Sequence, residues 1–362
     1  MDDNNLNHTR SHIRQSNWEL MRIVAMCMII AGHFITQSEY MSYIPTKEGA
    51  WFGAFFGRCS RIAVNMFLLL GCWFMVEAKF SARRIIKLYF NVWTLTAPIT
   101  IMIYLLGFPV SGKDIVRGIF PLLGVCVWFA SSYIALILIA PWLNKVMLLP
   151  QHSFKKLLLL LTGLISIWMT IHSMGTLHDG WLDSFVWFNY IFLLVGYYKK
   201  YCSFKFNKWL VLVVGIASYC TLVMIEYGAV NINGMAHIAK ILLDDFKTIP
   251  NLFIAACFFY FFHKLDIGKM TWINFLATGA FSTYIIHQTP AFIHVLWFDV
   301  YNCREAIVRY NPLIYSIFVV VTVYIFCLFV EYIRRKFIEP VILNCYLAKR
   351  LELFIDKFYI NV

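Results

Sequence analysis

The sequence WELMRIVAMCMIIAGHFIT, residues 18–36, is a hydrophobic stretch that contains an arginine, Arg22, and a histidine, His33. A helix of about 20 apolar residues crosses the hydrocarbon core of a bilayer. Ionisable groups inside such a helix are costly, so a functional role is the first hypothesis for both residues. Eleven residues at about 100° each return to within roughly 20° of the starting direction, which puts both side chains on one face. They lie about 16 Å apart along the axis, which excludes a salt bridge and suits the two ends of one long ligand.

The composition places the chain in a membrane. Of 362 residues, 61% are hydrophobic and 14% are charged, whereas soluble domains have about 25% charged residues. The net charge of +12 is not gathered on a soluble domain, so we expect a lipid bilayer and no nucleic acid as partner. The ten cysteines are scattered without a CxxC pair and are predicted to be packing residues, neither metal ligands nor disulfides.

Windows of about 20 residues predict an all-α, polytopic membrane bundle of about ten transmembrane helices. The predicted helices begin near Trp18, Ile62, Tyr89, Leu123, Leu157, Ser184, Trp209, Thr248, Trp272 and Pro312. With a cytoplasmic N-terminus, the inner segments hold 21 lysines and arginines and the outer segments nine. The positive-inside rule therefore predicts that both termini are cytoplasmic. The longest outer loops are expected at 37–61 and 227–247.

Three regions follow from this topology. Residues 1–17 are a cytoplasmic N-terminal segment, residues 18–335 the transmembrane domain, and residues 336–362 a cytoplasmic tail. The tail mixes apolar and basic residues, which is typical of an amphipathic helix that lies along the inner leaflet.

Each candidate residue has a structural interpretation beside the functional one. Arg22 either extends to the nearby membrane surface, paired with Glu19, or binds an anion. His33 is either a packed, hydrogen-bonded side chain or a general base. The small neighbours Ala31 and Gly32 favour the close approach of another helix or a substrate.

Two later segments also combine polar and aromatic residues. Tyr284 and His287 are three residues apart and share a helix face, either as a packed polar cluster or as a second proton-handling site. Residues 178–190, HDGWLDSFVWFNY, place Asp179 and Asp183 beside Trp181 and Trp187. Such aromatics indicate an interfacial belt, which we favour over a sugar-binding surface.

Five segments, in chain order, resemble the acyltransferase-3 family of bacterial membrane enzymes that acetylate surface glycans. The first is ELMRIVAMCMIIAGHF, with ten residues between arginine and histidine. RIAVNMFLLLGCWFM resembles the second family helix, with Leu70 where serine is usual. FSARRIIKLYFNVW resembles the inner loop with two basic residues, here Arg84 and Lys87. The last two segments are VWFASSYIALILIAPWLNKV and FSTYIIHQTP, so the resemblance covers about residues 18–335, as a single-domain form without an appended soluble domain.

The resemblance implies that His33 is the catalytic residue and that Arg22, Arg84 and Lys87 bind an acyl-CoA donor. Lys87 stands where the family prefers arginine, and lysine keeps the charge without the bidentate fork. Basic inner loops also arise from topology alone, so a structural interpretation of Arg84 and Lys87 stays open. Trp128, in the fourth segment, is expected to pack in the bundle in preference to lining an acyl tunnel.

The implied reaction moves an acetyl or other short acyl group to a hydroxyl of a cell-surface polysaccharide or its lipid-linked precursor, at the plasma membrane. Acetyl-CoA is then a substrate, and no tightly bound cofactor or metal is expected. His33 acts either as general base or as transient acyl carrier. The alternatives are a glycan transporter or flippase that uses Arg22, His33 and His287, and a non-catalytic partner in a polysaccharide-synthesis complex. The sequence lacks the repeated halves common in transporters.

Overall fold

The computed structural model describes residues 15–39, 47–122, 127–167, 181–231 and 245–359. Every regular element in these ranges is helical, which confirms the all-α fold. In chain order they are α1 (Ser16–Gln37), α2 (Lys47–Met75), α3 (Ala82–Leu105), α4 (Gly112–Ile119), α5 (Trp128–Val146), α6 (Gln151–Leu161), α7 (Trp181–Tyr201), α8 (Lys208–Asn231), α9 (Ile249–Lys264), α10 (Thr271–Leu276), α11 (Ala280–His287), α12 (Pro290–His294), α13 (Cys303–Arg309), α14 (Pro312–Ile333), α15 (Glu339–Asn344) and α16 (Tyr346–Tyr359).

Helix α1 lies inside the bundle, in contact with α2, α9, α11 and α14. Its apolar residues face these neighbours, and Met21 and Ile30 are completely buried. The helix ends where Glu39 adopts a left-handed φ of 57°, a conformation that commonly terminates helices. Because α1 is enclosed on several sides, Arg22 and His33 project toward other helices.

Where the structure describes them, the ten predicted segments are mainly helical, and six helices in the described ranges are long and apolar enough to cross a membrane. Helices α9 and α12 are apolar but shorter. The predicted loop at 37–61 is wrong over its second half, because α2 begins at Lys47. Arg58 lowers the hydropathy of this stretch, yet its side chain is fully buried and pairs with Glu226 of α8. The predicted loop at 227–247 falls largely outside the described residues.

The ninth predicted span is not one continuous helix. A 3₁₀ turn, Ala277–Gly279, separates α10 from α11, and Pro290 begins α12 two residues after α11 has ended. Gly279 permits a close approach to α14, since a Cβ there would come within 2.7 Å of Leu328 Cδ1. These interruptions leave His287 as the last residue of α11.

The C-terminal segment packs on the bundle. Helix α14 continues through a π-helical turn, Arg334–Ile338, into α15. On α16, Asp356 accepts a hydrogen bond from the backbone N–H of Ala82 at 3.2 Å, and Tyr359 stacks on Phe80 with ring centroids 3.7 Å apart. Leu353 and Phe358 on α16 remain exposed, so this helix is amphipathic. The domain boundary at 335 stays a prediction.

Candidate active site

His33 and His287, 254 residues apart in the chain, form a hydrogen-bonded pair. The Nδ1 atom of His33 lies 2.8 Å from Nε2 of His287, and Nδ1 of His287 lies 2.5 Å from the carbonyl oxygen of Thr283. A carbonyl oxygen only accepts, so Nδ1 of His287 carries a proton and its Nε2, in the neutral ring, accepts. His33 therefore donates from Nδ1, and its Nε2 keeps a lone pair.

The pair is accessible on one side only. His287 is completely buried, whereas His33 is partly exposed. The fixed tautomer points the basic nitrogen of His33 away from its partner. This arrangement suits a general base or a nucleophile, because the second histidine orients the first and leaves one reactive atom.

Gly32 lets α2 approach the helix beside His33. A Cβ at position 32 would lie 2.5 Å from Cβ and Oγ of Ser60. The expected close approach at this small residue is therefore confirmed, and its partner is a helix.

Two glutamines fix the break after α11 to the end of α1. Gln37 Nε2 donates to Gln288 Oε1 at 3.0 Å, and Gln288 Nε2 donates to Gln37 Oε1 at 3.1 Å. Trp297 Nε1 adds a third hydrogen bond, 2.9 Å long, to Gln37 Oε1. We call this region, with His33 and His287, the histidine end of the bundle.

Arg22 lies at the opposite end of α1, beside a cavity of about 320 Å³. The charged residues that line the cavity are the cations Arg22, Lys87, Arg334 and Arg335 and the carboxylates Glu19, Glu331 and Glu339. We call this region the basic end. Its lining carries one more cation than anion, which favours an anionic ligand.

Carboxylates already hold the cations of the basic end. Arg22 pairs with Glu19 at 2.5 Å, as its structural interpretation expected, and Lys87 pairs with Glu339 at 2.6 Å. Arg334, only 4% exposed, donates to Glu331 and to Glu339, both at 2.7 Å. An incoming anion would have to exchange with one of these carboxylates.

Aromatic residues connect the two ends. Phe129 and Phe281 line the cavity and contact the ring of Tyr284, with centroids 6.1 and 6.4 Å apart. Tyr284 in turn lies edge-on to His287 at 6.4 Å. The predicted pair of Tyr284 and His287 thus stands between the cavity and His33.

Gly71 gives the cavity part of its width. A Cβ at Gly71 would lie 2.8 Å from the hydroxyl of Tyr133, which also lines the cavity. Leu70 contributes an apolar side chain to the same wall.

The other predicted donor contact lies outside the cavity. Arg84 is exposed on the first turn of α3, and it is not among the residues that line the cavity. Lys87, one turn further along α3, is half exposed and lines it. The structure therefore brings Arg22 and Lys87 together and leaves Arg84 at the surface beside them.

Trp187 and Trp128 are packing residues. Trp187 is completely buried and donates from Nε1 to Asn65 Oδ1 at 3.0 Å, so its assignment to an interfacial belt is wrong. A hydrogen bond to a buried amide satisfies its polar atom inside the bundle. Asp179 and the side chain of Trp181 lie outside what the structure describes. Trp128 stacks on Phe246 at 5.1 Å, as expected for a packing residue.

Four charged residues of the cavity wall are not predicted from the sequence: Glu331, Arg334, Arg335 and Glu339. The available signal was the run EYIRRKFIEP at the end of the last span, whose charges we assigned to topology. Within the described ranges, no group of three histidine, cysteine or acidic residues could hold a metal ion.

Comparison with known proteins agrees with the resemblance. A family model described as an acyltransferase domain, of the acyltransferase-3 family, matches residues 15–332. No curated protein and no solved structure matches the chain. The family model covers most of the chain, including both histidines and Arg22. The chain therefore belongs to the acyltransferase-3 family and is a membrane acyltransferase.

Proposed function

We propose that this protein transfers an acetyl or other short acyl group from acyl-CoA to a hydroxyl of a cell-surface polysaccharide or its lipid-linked precursor. It acts at the plasma membrane with both termini in the cytoplasm. The observation that carries the proposal is the shared face of α1, with a cation-lined cavity at Arg22 and a base with a fixed tautomer at His33.

The chemistry of the donor matches these two ends. Coenzyme A carries phosphates on its nucleotide and a thioester at the tip of a long, thin arm. In the proposed complex the phosphates bind at the basic end, where Lys87 and Arg22 exchange carboxylates for phosphate oxygens. The arm follows the wall formed by Phe129, Phe281 and Tyr284, and about 16 Å of helix separates Arg22 from His33.

Two reaction sequences use the same atom of His33. As a general base, Nε2 takes the proton of the acceptor hydroxyl, the oxygen attacks the thioester carbonyl, the carbon–sulfur bond breaks, and the thiolate recovers the proton. As a nucleophile, Nε2 attacks the thioester carbonyl first, the carbon–sulfur bond breaks and the CoA thiolate leaves. The acceptor oxygen then attacks the acyl group, the acyl–nitrogen bond breaks, and the hydroxyl proton passes to the thiolate. In both sequences His287 holds the ring by its hydrogen bond to Nδ1.

The test uses the purified full-length protein in liposomes with labelled acetyl-CoA and candidate glycans. We expect label to appear on the glycan. Protein that neither binds acetyl-CoA nor transfers label would refute the proposal. Uptake of labelled glycan into the liposomes without acetyl-CoA would instead support the transporter alternative.

An acid quench after one turnover, without acceptor, separates the two reaction sequences. Label on the protein that is lost in a His33→Ala variant would indicate the acyl-histidine. Label that stays on acetyl-CoA until acceptor is added would indicate the general base.

A further inference from the structure

A groove of about 720 Å³ opens at the histidine end, outside the site described above. It lies between helix α13, the first three turns of α14 and the end of a π-helical turn, Val295–Val300, which follows α12. Tyr301, Tyr310 and Tyr315 are among its lining residues, and we call it the tyrosine groove. Its volume is in the range typical of small-molecule sites.

The inner half of the groove is an apolar strip along α14. Ile314, Phe318 and Thr322 are spaced four residues apart, so they form one ridge about 12 Å long. Ile314 is 69% and Phe318 is 54% exposed. Helix α14 is long and apolar enough to cross a membrane, so in a bilayer this exposed strip would face hydrocarbon.

Hydrogen bonds hold the floor of the groove. The hydroxyls of Tyr301 and Thr322 lie 2.8 Å apart, and the Tyr315 hydroxyl donates to the carbonyl oxygen of Tyr301. Tyr315 also contacts Phe34, with ring centroids 6.1 Å apart. Phe34 follows His33 directly in α1, so one wall of the groove packs on the residue beside the proposed base.

The outer rim of the groove is polar. Arg309 and Glu305 form an exposed ion pair with N and O 3.3 Å apart. Tyr310 is 60% exposed, and its ring lies parallel to that of Tyr315 with centroids 5.9 Å apart. Asn302 precedes α13 with a left-handed φ of 41°, a conformation that asparagine adopts readily at turns.

An ion pair fixes the rim to the histidine end. Arg304 of α13 pairs with Glu39, two residues beyond the end of α1, at 3.2 Å. The rim is thus joined to the same helix that carries His33. The groove therefore has a defined position relative to the proposed base.

The two halves match an amphiphile with a sugar-bearing head. A flat tyrosine ring packs against the face of a sugar, a carboxylate accepts hydrogen bonds from its hydroxyls, and a guanidinium binds phosphate through two N–H groups. The apolar strip suits a hydrocarbon chain that runs down into the bilayer. We propose that the tyrosine groove binds a lipid-linked sugar phosphate, which is the acceptor substrate. This inference rests on the proposed function and selects the lipid-linked precursor over the finished polysaccharide.

Binding is measured on the His33→Ala protein in detergent, so that turnover does not consume the ligand. The probe is polyprenyl-phosphate-linked N-acetylglucosamine, and N-acetylglucosamine 1-phosphate is its water-soluble counterpart. We expect tighter binding of the lipid-linked probe. Arg309→Ala and Tyr310→Ala should each weaken it about tenfold, the effect of losing one charge-assisted or aromatic contact.

Two further variants separate the parts of the groove. Phe318→Ser should weaken the lipid-linked probe and leave binding of the water-soluble one unchanged. Arg117→Ala is the matched control, because Arg117 is an exposed arginine near a helical carboxylate, Asp114, at 4.0 Å. It should bind both probes as well as the parent protein. The unfolding temperature, measured on each variant, reports that the protein is folded.

Three outcomes would overturn the inference. Equal displacement of the probe by phosphatidylglycerol would make the groove a general lipid cleft. Equal binding of the two probes would show that the hydrocarbon chain does not contribute to the affinity. Unchanged binding in both Arg309→Ala and Tyr310→Ala would show that the acceptor binds at another site. A protein that binds the probe and no acetyl-CoA would refute the proposed function and leave the groove assignment standing.

Discussion

At the basic end of α1 charged groups meet charged groups, whereas at the histidine end neutral groups are joined by hydrogen bonds. Arg22 and Lys87 each lie within 2.6 Å of a carboxylate oxygen. His33 and Gln37 instead bond to the neutral side chains of His287 and Gln288. Ion pairs can exchange one anion for another, while a hydrogen-bonded pair of rings keeps one orientation. This difference indicates that the basic end is suited to receiving a ligand and the histidine end to positioning a reactive atom.

The largest expected effect is on kcat, when the imidazole that carries the free lone pair, that of His33, is removed. His33→Ala should lower kcat by about 100- to 10,000-fold, the usual contribution of a general acid–base group. The donor KM should change little because the basic end is intact. Thr36→Ala, one turn along the same helix with its hydroxyl bonded to Gly32 O at 3.0 Å, is the control. Full acyl transfer by the His33→Ala protein would show that His33 does not take part in the reaction.

A second change tests whether His287 only positions His33. His287→Ala should lower kcat by about 10- to 100-fold, as for other supporting partners of reactive groups. His287→Gln should recover part of the loss, since its amide oxygen can accept from Nδ1 of His33. Equal activity of the two variants would show that catalysis does not depend on a hydrogen bond from Nδ1 of His33. The measurement is kcat with saturating donor.

Glu339→Gln tests the exchange of anions at the basic end. In the proposed complex Glu339 competes with the donor for Lys87, so Glu339→Gln should lower the donor KM by about three- to tenfold at low salt, an effect of up to about 1.4 kcal/mol. Glu352→Gln on α16 is the charge-matched control. A raised KM would show that Glu339 holds Lys87 in place instead of blocking it.

The smallest expected effect is at the exposed cation beside the cavity. Arg84→Ala should raise the donor KM by about two- to fivefold, because an exposed charge is screened by water and salt. Lys87→Ala should raise it more, since Lys87 lines the cavity. An unchanged KM in Arg84→Ala would make this arginine a topological residue.

The sequence predicts the parts of this site that depend on one helix. The 3.6-residue period puts Arg22 and His33 on one face, and the low charge of the spans predicts the all-α bundle. It does not predict that His287 meets His33, because that contact depends on the 3₁₀ turn before α11 and the close packing of Gly279 on Leu328. Local patterns do not specify such long-range contacts.

The prediction also fails where charge or aromaticity has two explanations. Arg58 was placed in a loop, but burial against Glu226 keeps it inside a helix. Trp187 was placed at the membrane surface, but Asn65 provides a buried partner. Arg334 was counted only as a cytoplasmic charge, whereas Glu331 and Glu339 hold it in the wall of the cavity.

The hydrogen bond from His287 to Thr283 has a consequence for proton movement. A relay across a membrane needs groups that both take up and release a proton at every step. The chain from His33 through His287 ends at a backbone carbonyl, which accepts a hydrogen bond and has no proton to pass on. A proton that His33 takes up at Nε2 therefore has no onward path through His287 and leaves again through Nε2. The geometry of the pair thus fits the proposed acyl transfer, in which a proton is taken up and returned at one place, whereas a proton-driven transporter needs a path beyond it.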